Sequence, residues 1–238
     1  RFASGPDGTR YGVPSMGTTS LCVYHRPTFY ALGLSPPTTW SAFLDMCDTI
    51  SISGRGCLGI DLPYLPPGVI LDYLFIRMHG NEFYDAFLAA NISFTDPRIL
   101  SSLSAFGELI HRSAFVVDLG SVPLRLWDAS GLSSGRIAVY CGFESVASVA
   151  VANGLAEDDL DAFAFPAIYD GPGATVSPGP ATDGGLGTYM AFGIPTRSLF
   201  PDTAKNVLRY MAKRSVQEAL ISTHAGTIPA HYSLRNAI

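Results

Sequence analysis

The forty residues from Tyr11 to Ile50 constrain the fold of this chain more than any other stretch. Leu21-Cys22-Val23-Tyr24-His25 is a half-apolar run with the length and residue types of a short buried strand. Beyond Phe29 to Leu34, the paired Pro36 and Pro37 forbid helix, because each ring fixes φ and restricts the residue before it. Thr39 can then cap a helix whose Trp40, Phe43, Leu44, Cys47 and Ile50 recur on one face. The order is strand, loop, capped helix.

The rest of the chain repeats such units. Ser51 to Pro67 is dense in glycine and proline, and predicts a loop around a short strand at Leu58 to Leu62. Val69 to His79 has helical periodicity and meets Gly80 as its stop. Asp96 can cap and Pro97 suits a first helical position, with Ile99, Leu100, Leu103, Phe106, Leu109 and Ile110 following at helical spacing. Further strands are predicted at Ile137 to Tyr140, Asp161 to Ile168 and Thr188 to Phe192. Two helices close the pattern, one capped by Asp202 and one from Ser215, where Glu218 completes a capping box.

Composition excludes several classes. Charged residues are 15% of the chain, the net charge is −5, and the basic residues Lys205, Arg209, Lys213 and Arg214 share a helix with Asp202 and Glu218. Nucleic acid therefore has no electrostatic footprint to bind. Mean hydropathy is +0.25, yet the longest nearly uncharged run, Ile137 to Leu155, is interrupted by Glu144, Gly142, Asn153 and Gly154, so no membrane span is expected. The lead Arg1 to Gly8 has no apolar core of a secretion signal. Cys22, Cys47, Cys57 and Cys141 lack metal-ligand spacing; buried free thiols are the expected state, and three disulfide connectivities are possible. His25, His79, His111, His224 and His231 show no paired spacing, so no metal site is expected.

Two motifs suggest enzymes and lack the context those enzymes need. Gly54-Arg55-Gly56-Cys57-Leu58-Gly59 fits a dinucleotide fingerprint, but a strand and Pro63 follow it where a helix should begin. Gly131-Leu132-Ser133-Ser134-Gly135 fits a nucleophile elbow, but its strand comes after the serine, reversing the order. No cofactor is expected.

Several ordered segments together resemble the extracellular solute-binding proteins of carbohydrate ABC importers, the maltose-binding-protein-like family. They are Tyr11-Gly12-Val13-Pro14, Gly33-Leu34, Pro36-Pro37, Thr39-Trp40, Asp72-Tyr73-Leu74, Glu82-Phe83-Tyr84, Phe94-Thr95-Asp96-Pro97, Gly135 to Tyr140, and Thr227-Ile228-Pro229-Ala230. The resemblance runs from Tyr11 to about Ala230. It implies an α/β, bilobal periplasmic-binding-protein-like fold of class II, with the N-terminal part of the first lobe and the C-terminal helices missing. Residues 14–164 would form the second lobe, and 1–13 with 165–238 the remainder of the first lobe and the crossover strands.

The same resemblance implies function. A neutral sugar needs aromatic faces and fixed hydrogen-bonding groups. Candidate ligand residues are Ser15, Met16 and Gly17 after the crossing strand; Asp72 and Tyr73; Phe143 and Glu144, where the family carries a tryptophan; and Gly184, Gly185 and Leu186 in a glycine-rich loop. The expected action is hinge closure on a sugar or sugar-like solute and its delivery to the membrane subunits of an ABC importer, without chemistry. The expected form is a monomer, periplasmic or lipid-anchored outside the cytoplasmic membrane. The rival readings are a serine hydrolase using Ser133 and a cytoplasmic sugar-binding regulator of similar bilobal plan.

Overall fold

A computed structural model describes residues 12–59, 68–116, 131–143, 145–171, 173–175, 186–223 and 228–229. The chain divides into two compact units, Ser20–Leu186 and Arg1–Thr19 with Gly187–Ile238. The first boundary, between Thr19 and Ser20, falls inside one strand, β1 (Val13–His25), and the second falls between Leu186 and Gly187. The resemblance set them at 13/14 and 164/165. Residues 165–186 group with the larger unit, where Phe165 and Ile168 are buried in its core.

In the larger unit, β1 from Ser20 onward pairs antiparallel with β4 (Ile137–Phe143), with Ser20 opposite Phe143 and Cys22 opposite Cys141. On its other side it pairs antiparallel with β5 (Leu160–Phe163). β4 lies parallel to β2 (Gly56–Gly59), which lies parallel to β3 (Phe115–Val116), giving the order β3-β2-β4-β1-β5. β2 and the first six residues of β4 are wholly buried, as a sheet covered on both faces requires. Alternation along β1 sends Cys22 and Tyr24 into the main core and Val23 into a second cluster with Tyr140, Leu132 and Val146.

The helices follow from their stop and start signals. α1 (Arg26–Leu32) ends at Gly33, whose φ of +65° suits glycine. α2 (Trp40–Ile52) begins at Thr39, whose Oγ1 accepts from the Ala42 N–H at 3.3 Å. α3 (Gly68–His79) and α4 (Asn81–Leu88) flank Gly80, at φ +84°. α5 (Pro97–His111) starts as the sequence predicts, with the Asp96 carboxylate accepting from the Arg98 N–H at 2.9 Å. α6 (Ser145–Ala152) covers the second cluster.

In the smaller unit, Val13 to Thr19 of β1 pairs with β6 (Gly187–Phe192), and Met16 and Gly17 also pair with β7 (Ile228–Pro229). Two helices, α7 (Pro201–Met211) and α8 (Arg214–Thr223), follow β6.

Several expectations are corrected. The four cysteines are not free thiols: Cys22 bonds Cys141 across β1 and β4, and Cys47 within α2 bonds Cys57 in β2. Strand register and helix packing bring each pair together, which spacing in sequence cannot reveal. The first strand is far longer than Leu21 to His25, since its threonine-rich half finds a partner in β6. The strand predicted from Asp161 ends at Phe163, because Pro166 has no N–H for a ladder and Phe165 turns into the core. Asp202 is not a cap; Pro201 takes the first helical position and Asp202 pairs with Lys205 at 3.0 Å. Glu218 accepts from Arg214 Nε at 2.8 Å instead of closing a capping box. Among the described residues no helix is long and apolar enough to cross a membrane, and no group of His, Cys, Asp and Glu is placed to hold a metal ion.

A buried histidine ties α3 to α5. His79 Nε2 lies 3.0 Å from the Arg98 carbonyl, which can only accept, so Nε2 carries the proton and Nδ1 accepts from the Thr175 hydroxyl at 3.0 Å. Burial lowers its pKa, although the bond to the Arg98 carbonyl works the other way. The unfolded chain takes up this proton near pH 6.5 and the folded chain resists it. Stability is therefore full above that pH and falls as pH drops toward the folded value. Thermal unfolding at pH 7.5 and 5.5 is expected to show this loss, with a shallower slope in His79→Gln.

Candidate functional site

Ser20, the first residue of the larger unit, is bonded or paired to three of the expected site residues, Tyr73, Phe143 and Leu186. Its N–H donates to the Leu186 carbonyl at 2.8 Å, and its own carbonyl accepts from the Tyr73 hydroxyl at 2.6 Å. Phe143 is its cross-strand partner. Thus α3, the end of β4 and the end of the glycine-rich loop are joined through one residue of β1. A Cβ at Gly142, just before Phe143, would stand 2.7 Å from the Tyr140 ring and force that ring to shift.

Phe143 is half-buried and closes β4, so its ring stands at the end of a rigid strand. Leu186 is half-buried against the main core. Tyr73 is a support and leaves the set of ligand-facing residues: it is 1% exposed, stacks on Phe165 at 4.6 Å and 7°, and spends its hydroxyl on Ser20. Burial pushes its pKa up to about 12, so it stays a neutral donor. Asp72, one residue earlier, interacts with Tyr84 of α4. Burial raises the Asp72 pKa, and burial together with Asp72 pushes Tyr84 up to about 12.

In the smaller unit, Gly17 is buried in the middle of the sheet, paired with Tyr189 on one side and Ile228 on the other. Met16 pairs through its backbone with Met190 and Pro229. Ser15 sits at the irregularity between Pro14 and Met16; it is 3% exposed, and its Oγ finds no hydrogen-bond partner among the described residues. Glu144, Gly184 and Gly185 lie outside the described residues.

The motifs set aside in the sequence take structural places. Gly56 to Gly59 is β2 itself. The Ser133 hydroxyl donates to the Ala150 carbonyl at 3.2 Å, in a turn that precedes β4. Ser20, which joins the segments carrying Tyr73, Phe143 and Leu186, is not among the residues expected from the sequence. Its signal was a polar side chain two positions before Cys22, on the face that alternation sends inward.

This mixed α/β fold is that of the bilobal solute-binding receptors of ABC importers. The bacterial solute receptor AcbH, described as having an exclusive preference for β-D-galactopyranose, superposes at a TM-score of 0.80 with 22% identity, over 97% of this chain and 56% of AcbH. An ABC transporter solute-binding protein from Thermotoga lettingae, bound to α-D-tagatose, gives 0.73 with 17% identity, over 98% of this chain and 59% of that one. The GacH receptor of Streptomyces glaucescens, solved without ligand and with acarbose, gives 0.72 with 18% identity, over 98% and 56%. In sequence, the osmoprotective compounds-binding protein GgtB of Synechocystis is 28% identical over 116 residues, 46% of this chain and 28% of GgtB. No family model matches the chain. The chain spans little more than half the length of these solved structures.

Proposed function

We propose that this chain is part of a receptor that binds a sugar or sugar-like solute outside the cytoplasmic membrane and hands it to the membrane subunits of an ABC importer. The observation that carries this reading is the match to AcbH, at a TM-score of 0.80 over 97% of the chain. Two disulfides fit an oxidising compartment, and one fold neighbour is described as a probable secreted solute-binding lipoprotein from Streptomyces coelicolor. The receptor works as a monomer, and no bond of the solute is made or broken.

Phe143 is proposed as the stacking face and Glu144 as a hydroxyl acceptor, with Ser15, Gly17 and the Gly184-Gly185-Leu186 segment contributing polar and backbone contacts. Titration calorimetry of the full-length protein against D-galactose, D-tagatose and stachyose tests the reading. Phe143→Ala is expected to weaken the sugar that binds by about tenfold, the scale of one aromatic contact, and Glu144→Ala to weaken it as well, both without loss of folding. Unchanged affinity in both variants would reject these two residues, and consumption of any of the sugars would reject the receptor.

A further inference from the structure

We propose that Ser20 is a ligand-contacting residue, its hydroxyl left unpaired by the protein and taken up by a hydroxyl of the bound solute. This rests on the receptor reading above. Ser20 is 4% exposed, yet its Oγ finds no hydrogen-bond partner among the described residues. Buried polar atoms are otherwise paired in native proteins, because leaving one unpaired forfeits its hydration without return. Alanine would fill the same place in the strand without that loss, so the hydroxyl needs a reason to be there.

The surroundings supply one. Both backbone groups of Ser20 are already committed, the N–H to Leu186 at 2.8 Å and the carbonyl to Tyr73 at 2.6 Å. The residue is therefore held in place from two sides while its side chain stays unspent. Two positions along β1, the Cys22–Cys141 disulfide fixes the register that sets Ser20 opposite Phe143. Segments proposed for the site, at Phe143 and at Leu186, thus converge on this residue.

A serine hydroxyl offers one donor and two acceptor positions and carries no charge. That matches a sugar hydroxyl, which likewise donates and accepts. Tyr73, kept neutral by burial, acts as a positioning residue behind Ser20 and does not itself reach the solute.

The test uses the full-length protein, Ser20→Ala, and the sugars D-galactose, D-tagatose and stachyose. Calorimetry is expected to show affinity for the preferred sugar reduced about tenfold, the upper range for one neutral hydrogen bond. The ligand-free melting temperature of Ser20→Ala is expected to equal or exceed that of the unaltered protein, because an unpaired buried group has been removed. Unchanged affinity in Ser20→Ala, with the unaltered protein binding, would overturn the assignment while leaving the receptor reading intact. A lowered melting temperature in the ligand-free variant would also overturn it, since the hydroxyl would then serve the fold. Failure of the unaltered protein to bind any of the three sugars would count against the receptor reading itself and take the Ser20 assignment with it.

Discussion

Replacing Cys22 and Cys141 together with alanine is expected to lower the melting temperature of the full-length protein by roughly 10 °C, from a loss of about 4 kcal/mol. The bond joins residues 119 apart in sequence, and closing so long a loop removes much of the freedom of the unfolded chain. The Cys47–Cys57 bond, with a separation of 10, closes a far shorter loop and should contribute about 2 kcal/mol less. Circular dichroism melts of the two double variants give the ranking directly. No shift in Cys22→Ala/Cys141→Ala would mean that the two sulfurs are unbonded. All four cysteines are buried, with exposures from 0% to 6%, so a mild reductant added to the folded protein should act only as fast as the protein opens.

The fold was legible in sequence where local chemistry decides it. Thr39 before Trp40 and Asp96 before Pro97 both cap as expected, since a side-chain oxygen and a fixed φ act within one turn. The elements that were misjudged depend on partners distant in sequence. The half of β1 from Val13 to Thr19 becomes strand because β6 and β7 lie on either side of it, and nothing between Tyr11 and His25 announces them. The disulfides follow from register for the same reason: Cys22 and Cys141 are bonded because β1 and β4 run antiparallel in that alignment. The candidate site was put forward by resemblance and not by local chemistry. Family resemblance put forward Phe143 and Leu186, but Tyr73, put forward with them, proves to be a buried brace, and Ser20 carried only an inward-facing polar residue as its sign.

That brace leads to the other large effect. Phe165 is 1% exposed and lies within ring contact of Tyr73 at 4.6 Å, Phe43 at 5.3 Å and Trp40 at 6.2 Å. It pins the chain after β5 onto α2 and α3. Phe165→Ala is expected to cost about 3–5 kcal/mol, from lost burial and the cavity left among three rings that cannot collapse into it. Against a total stability of about 5–15 kcal/mol, this is a large share, read as a lowered urea midpoint at an unchanged slope. Tyr73→Phe makes the contrast, because it keeps the stack on Phe165 and removes only the hydroxyl bond to Ser20. Its cost should be about 1–2 kcal/mol, chiefly from leaving the Ser20 carbonyl unpaired. Because the Tyr73 ring holds its hydroxyl in place, Phe165→Ala should also weaken sugar binding, by loosening Ser20 from a distance. If Phe165→Ala lost stability while binding stayed intact, the aromatic stack would brace the core without steadying Ser20.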